Sequence, residues 1–277
     1  MEYSHNYGWR LIKAERLPGK FNMSFDRWLF EKLLFGEGKP TLRFFLWDKP
    51  TISYGMNQRN IESIIDYEKC GKYGVDIAKR PTGGRELLHG YDLSYSVVGF
   101  TTFDGNQTLS IRKRCAQIHG GIVEALISLG ADKEGFEDKR RPMGYNLKGI
   151  SPCFTAITGD EISYYGKKLV GSAQRSKKNV FLQQGSIQLV YGTSRIIDFL
   201  RFDSERKYLI LKEKLEKSIT DLSQIMKESL IDERVLEDRI AKSFSEEFGI
   251  TFDETCFSSK YIENKDNNKS KLKELDT

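Results

Sequence analysis

Apolar residues recur at helical spacing in three stretches, with short continuous or alternating runs between them, which is the pattern of an α/β protein. Over 22–34, Phe25, Trp28, Leu29 and Leu33 share one helical face and Asn22 stands as its cap. Two aromatic and β-branched runs, 41–47 and 51–55, are joined through Asp48-Lys49-Pro50 and read as a strand pair about a turn. A short helix carrying Ile61, Ile64 and Ile65 leads to Gly71 and Gly74. Strands are expected at 75–79 and 93–98, on either side of the structure-breaking run Pro81-Thr82-Gly83-Gly84-Arg85. The clearest helix is 110–129, with Ile111, Cys115, Ile118, Ile122, Leu126 and Leu129 inward and Gly130 as its stop. Beyond it, 161–164 and 168–172 form a hairpin about Tyr165-Gly166-Lys167, and 181–189 is a further strand. From about residue 200 the chain turns to charged helices that pack on the sheet. In the last of them, 232–248, Leu236, Ile240, Phe244 and Phe248 lie four apart and Gly249 closes the helix.

Composition narrows the class. The 277 residues are 39% hydrophobic and 30% charged, enough to bury a sizeable core without disulfide staples. Apolar runs such as Phe44-Phe45-Leu46-Trp47 stop far short of the roughly 20 residues a membrane span needs, and residues 1–10 hold no apolar leader, so a cytoplasmic protein is expected. Lys and Arg total 44 against 39 Asp and Glu, a formal charge of +5. That surplus is mild for a nucleic-acid binder; it would favour an acidic protein partner, and on charge alone it equally describes an ordinary solvated surface. Cys70, Cys115, Cys153 and Cys256 form no CxxC pair and read as free thiols, Cys70 and Cys115 as small buried hydrophobes. The expected division is a catalytic unit over 1–255, helical from about 200, and a polar, disordered tail over 256–277.

Three segments could carry chemistry. In the first, Arg80 to His89, Gly83-Gly84 allow positive φ and close backbone approach, while Arg80 and Arg85 offer planar charged donors; a bare Gly-Gly is otherwise a turn. Neither a Walker loop nor GxGxxG occurs. In the second, Gly166 to Gln174, strand alternation sends Lys168 and Val170 to one face and Leu169 and Gly171 to the other. Lys168 then either points inward, where burial lowers an amine's pKa and fits it to accept a proton, or snorkels from a sheet edge. The third is Cys153, a loop thiol after Pro152 that a nearby cation could activate. His5 and His119 read as surface or helix residues, and three scattered imidazoles make no metal site.

Taken in order, Trp9-Arg10-Leu11-Ile12, Asn22-Met23, Pro40-Thr41-Leu42-Arg43-Phe44, Arg80 to Arg85, Leu88-His89, Leu93-Ser94-Tyr95-Ser96-Val97 and Gly166 to Gln174 resemble the lipoate-protein ligase and octanoyltransferase superfamily. The likeness runs from Trp9 to about Leu189 and is nearest the cysteine-dependent octanoyltransferases of Gram-positive type, with their RRPTGGRAVLH, Cys-Phe, GxKxxGSAQ and LQHGSI motifs. ATP-dependent lipoate ligases typically carry a third glycine where Arg85 stands and lack a cysteine matching Cys153, and the GRGRxGR loop of biotin ligases is missing. Three positions depart from the pattern: Lys79 replaces an arginine, Gly90 the aspartate after the histidine, and Gln184 the histidine before Gly185. Of these, Gly90 bears most on activity, since an acid there could orient the loop or a neighbouring base.

The resemblance implies an α/β fold, a mixed sheet with flanking helices of the biotin/lipoate protein ligase type, around an acyl tunnel. It implies an octanoyltransferase that moves octanoyl from octanoyl-acyl carrier protein to a lysine of a lipoyl domain, such as glycine cleavage H protein or a dehydrogenase E2 subunit. No cofactor, metal, nucleic acid or membrane is implied. Cys153 would form the thioester and Lys168 would move protons. Arg80, Gly83, Gly84, Arg85, His89, Gly171, Ser172 and Ala173 would bind substrate, with backbone N–H groups near Gly83-Gly84 and Gly171-Ser172 at the oxyanion. The alternatives are an ATP-dependent lipoate ligase, a lipoyl amidotransferase and a non-catalytic acyl- or carrier-binding protein.

Overall fold

Strand β3 (Thr41–Trp47) is buried throughout and sorts its side chains to two sides. Leu42, Phe44 and Leu46 enter the largest apolar core, whereas Phe45 and Trp47 meet Met23 and Ala78 in a separate small cluster. That alternation separates a core that stabilises the fold from a surface that shapes a cleft. The computed structural model describes residues 8–102, 108–137, 161–226 and 232–253.

Beside β3 lie β1 (Trp9–Ile12), β2 (Arg16–Leu17), β7 (Asp92–Phe100), β8 (Ile162–Tyr164), β9 (Lys167–Lys177), β10 (Val180–Gln188) and β11 (Phe252–Asp253). They form a mixed sheet in the order β11-β1-β3-β7-β10-β9-β8, with β2 joined to β3. The pairs β1/β3 and β1/β11 are parallel, and the pairs from β3 through β8 are antiparallel. The β8/β9 hairpin turns on Tyr165 (φ 45°) and Gly166 (φ 75°), the two positive φ angles that a type I′ turn requires.

One face of this sheet is covered by α3 (Ile111–Ser128) and α7 (Glu233–Phe248), through Ile118, Ile122, Leu126, Leu236, Ile240 and Phe244. Their ends follow local chemistry. Ser110 and Asp232 accept the first-turn N–H groups of Lys113 and Arg234, and Gly249 ends α7 at φ 59°. Ile111, expected inward, is 54% exposed, in a first turn of α3 where residues 111–113 are all exposed. On the opposite face, α1 (Gly19–Leu34) packs Phe25, Leu29, Phe30 and Leu33 against Ile12, Val98, Val180 and Leu182. Helix α1 starts three residues before the expected cap. Asn22 is buried in its first turn, and its Nδ2 donates to the carbonyls of Leu17 (3.1 Å) and Leu46 (3.0 Å), which fixes the helix to β2 and β3.

A second sheet, in the order β5-β4-β6, joins β4 (Thr51–Tyr54), β5 (Asp76–Lys79) and β6 (Leu87–His89). Its core includes Ile52, Leu87 and Leu88 with Leu211 and Leu215 of α5 (Glu205–Ser218), and Ile196 and Phe199 of the 3₁₀ segment Thr193–Phe199. The long helices beyond residue 200 therefore divide their work, α7 covering the main sheet and α5 the small one; the short helices α2 (Tyr67–Lys72), α4 (Lys133–Glu137) and α6 (Leu222–Ile225) lie between the longer ones in sequence.

Candidate active site

Arg80 follows β5 and folds its guanidinium back beneath the glycine loop. Its Nη2 donates to the carbonyls of Gly83 (3.1 Å) and Arg85 (2.7 Å), and its Nη1 to the Ser53 carbonyl (3.0 Å) and Oγ (2.6 Å). The Thr82 carbonyl accepts the Met56 N–H at 2.9 Å. The loop is thus held by its carbonyls. Gly84 has φ +95°, and a Cβ on Gly55 beneath it would stand 2.1 Å from the Gly84 carbonyl oxygen, so glycine is required at both. At Gly83 a Cβ would meet nothing within 4 Å, so protein packing does not demand glycine there.

His89 lies against the same Ser53, whose Oγ is 2.7 Å from Nε2, while Nδ1 faces Asp92 Oδ2 at 2.9 Å. The Trp47 ring stacks on the imidazole with centroids 4.1 Å apart. Asp92 also accepts the Gly90 N–H (3.0 Å) and the hydroxyls of Ser94 and Ser186 (each 2.7 Å). Burial alone would raise the Asp92 pKa, but the charge of His89 and these donors outweigh it and hold the carboxyl below its ordinary value. An ionised Asp92 makes Nδ1 the protonated nitrogen of His89. Ser53, His89 and Asp92 share the connectivity of a Ser-His-Asp triad, yet Ser53 is 0% exposed and engaged by Arg80. It acts as a strut between Arg80 and His89. Two residues beyond position 90, where the sequence pattern sought an acid, Asp92 faces His89, and Gly90 serves the turn with φ +114°.

Gln184 ties this assembly to the main sheet. Its Oε1 accepts from Thr82 Oγ1 (2.8 Å) and its Nε2 donates to Asp26 Oδ2 (2.6 Å), while Asp26 Oδ1 accepts from Arg43 (2.7 Å) and Ser96 (2.8 Å). The glycine loop, α1, β3, β7 and β10 are joined through one amide and one buried ion pair.

Between the two sheets lies a narrow cleft. Met23, Phe45, Trp47 and Leu87 give it apolar walls. Gly171, Ala173 and Gly185 leave room, and Arg80, His89 and Gln184 complete the lining. Such an apolar cleft suits an alkyl chain.

Of the expected site residues, Arg80, His89, Gly171, Ser172 and Ala173 meet in this cleft. Gly83, Gly84 and Arg85 lie on the loop beside it and do not line it. Cys153 lies outside the described residues, as does Cys256. Lys168 is 1% exposed and ion-paired with Glu161, whereas Lys167 is exposed. The expected alternation fails here. Ile162 pairs with Val170 but Ser163 with Lys168, so the register slips by one residue and both Leu169 and Val170 enter the main core.

His119, expected as a surface or helix residue, is a buried residue of α3 with Nε2 3.1 Å from Ser172 Oγ and Cys115 Sγ within 3.9 Å. Burial, helped by the charge of Lys168, pushes its pKa down to about 4, so it is neutral at pH 7. Cys70 behaves as expected of a buried thiol: burial pushes it up to about 11 and leaves it unreactive. Sequence reading gave Asp92, Trp47, Gln184 and His119 no role in the site. Only Asp92, three residues after His89, carried a local signal. Among the described residues no group of His, Cys, Asp and Glu is arranged to hold a metal, and no helix is long and apolar enough to cross a membrane.

Residues 18–247 match the lipoyl protein ligase A/B catalytic domain. The chain is 34% identical over 242 residues to octanoyltransferase LipM of Kyrpidia tusciae, covering 87% of each chain. It is 32% identical to octanoyltransferase LipM of Bacillus subtilis, covering 87% of this chain and 84% of that one. In fold it is similar to the bipartite lipoate protein ligase of Thermoplasma acidophilum, with a TM-score of 0.70 at 20% identity, covering 98% of this chain and 92% of that one. It is likewise similar to a lipoate-protein ligase A solved with ATP, with a TM-score of 0.68 at 22% identity and coverage of 97% and 94%.

Proposed function

The chain belongs to the lipoyl protein ligase A/B catalytic-domain family and is an octanoyltransferase; we propose that it takes octanoyl from acyl carrier protein, holds it as a thioester on Cys153 and passes it to a lysine of a lipoyl domain in the cytoplasm. The observation that carries this reading is the apolar cleft bounded by Gly171 and Ala173 on one side and by Arg80, Leu87 and His89 on the other. The octanoyltransferase relatives and the Thermoplasma ligase, solved in a study with its E2 lipoyl domain, supply the chemical context.

The alkyl chain lies along Met23, Phe45, Trp47 and Leu87. The Cys153 thiolate attacks the thioester carbonyl, a carbon–sulfur bond forms to Cys153, and the bond to the carrier breaks. The carrier thiolate leaves with the proton that Cys153 gave up, taken up meanwhile by the carboxylate of the Lys168–Glu161 pair while the ammonium holds its place. The lipoyl-domain amine then attacks the same carbon, its surplus proton returning by way of the same pair to the Cys153 sulfur as the thioester breaks. Backbone N–H groups near Gly83-Gly84 and Gly171-Ser172 are assigned to the developing oxyanion. Incubation with octanoyl-acyl carrier protein and an apo lipoyl domain should give octanoyl-lysine without ATP, and incubation with the donor alone should leave one hydroxylamine-labile octanoyl group on Cys153 by intact mass. Product that forms only with ATP and free acid would make the protein a ligase, and an adduct surviving in Cys153→Ser would overturn the thioester.

A further inference from the structure

Every hydrogen bond around the His89 ring has an assignable direction. Ionised Asp92 accepts from Nδ1 at 2.9 Å, so Nδ1 carries the ring proton and Nε2 is a lone-pair acceptor. Ser53 Oγ, 2.7 Å from Nε2, then donates its own proton to the ring. The same oxygen accepts from Arg80 Nη1 at 2.6 Å, and Arg80 Nη2 donates to the carbonyls of Gly83 and Arg85. Donation therefore runs one way, from Arg80 to Ser53, from Ser53 to His89 and from His89 to Asp92. With both nitrogens engaged and Trp47 stacked on one face, the imidazole has no atom left to bond an acyl carbonyl or to take a proton from a nucleophile. Were the proton on Nε2 instead, Ser53 would face N–H donors from both Arg80 and His89, and its hydroxyl proton would be left without either as acceptor. Ser53 and His89 are both buried, so that arrangement costs free energy that a shift of Arg80 relieves.

We propose that His89 is a positioning residue and makes no hydrogen bond to substrate: with its proton on Nδ1 it orients the Ser53 hydroxyl, which seats Arg80 beneath the glycine loop and so fixes the loop for acyl transfer. The task given to the loop rests on the octanoyl-transfer reading, whereas the direction of the chain does not. A shift of Arg80 displaces the loop whose N–H groups are assigned to the oxyanion, and misplacement at a reacting centre is felt in the rate of the chemical step.

The chain has three histidines, so nuclear magnetic resonance of the protein carrying isotope-labelled histidine gives few ring-nitrogen signals, and those lost in His89→Gln belong to position 89. At pH 7 the ring should be neutral with its proton on Nδ1; a proton on Nε2, or on both nitrogens, would overturn the proposal. Glutamine at 89 can set its amide oxygen near the Nε2 position and accept from Ser53, whereas asparagine keeps an N–H near the Nδ1 position for Asp92 and offers Ser53 nothing. His89→Asn and Ser53→Ala should therefore lower kcat with octanoyl-acyl carrier protein about tenfold or more at a carrier KM near the parental value, and His89→Gln should recover most of that loss. A raised KM at unchanged kcat would make His89 a substrate contact, and an Asn variant as active as the Gln variant would show the Nε2 acceptor to be idle; either result overturns the assignment. If the parent transfers no octanoyl, the transfer reading fails by itself, and the nitrogen signals together with deuterium exchange decide the chain: faster exchange of the 83–86 amides in Ser53→Ala supports it, and unchanged exchange overturns it.

Discussion

Single side chains near the cleft owe their protonation to burial, and His119 shows this most clearly. Its folded pKa of about 4 lies below the roughly 6.5 of an exposed histidine, so the unfolded chain takes up the proton first as pH falls. The associated stability is fully present above about pH 6.5, is lost through the interval down to 4, and amounts to about 3 kcal/mol. Urea unfolding of the parent across that interval should show the decline, and His119→Gln should flatten it; identical slopes would mean that the imidazole is solvated. At Gly90, Asp is expected to lower the melting temperature without raising transfer. A side chain at φ +114° is strained by about 1–2 kcal/mol, its Cβ would stand 3.3 Å from Pro50 Cα, and Asp92 already serves His89. A gain in activity at unchanged stability would show that the His89–Asp92 pair is incomplete.

At the scale of elements, helices α3 and α7 were legible because apolar spacing and end residues agree over several turns. Strand β6 was not: three residues after a glycine loop give no period to read. Strand β9 was legible as a strand but not in register, since a one-residue slip leaves no mark in composition. Both Leu169 and Val170 are apolar and both are buried. The slip does not alter the contrast between the adjacent lysines. Lys168→Ala, which removes a buried ion-paired ammonium, should reduce acyl transfer by about 10²–10⁴-fold, and Lys167→Ala should leave it near the parental rate. Comparable losses in the two variants, measured as octanoyl-lysine formed per minute, would take Lys168 out of the mechanism.

For the whole molecule, the α/β class and its flanking helices could be anticipated from sequence, whereas the way two sheets close on a cleft could not. The contacts that join them run between distant positions. Gln184 is 158 residues from Asp26 and 102 from Thr82, and no local pattern links them. This also explains why Gln184 first looked like a defect in a motif: its two-sided amide gains meaning only from partners that folding brings to it.

That amide has a consequence in time as well as in space. Because it accepts from the loop and donates to Asp26 of α1 at once, neither can breathe alone without stranding a buried polar group. Backbone amides over 82–86 and around Asp26 should therefore exchange with deuterium as one cooperative unit. Gln184→Leu, which keeps the bulk and removes both bonds, should uncouple them, the loop exchanging faster while the helix keeps its protection. Independent exchange already present in the parent would show that the amide links coordinates without linking motions. Under cooperative exchange, opening of the cleft becomes a collective event with a single rate, and that rate sets a ceiling on turnover.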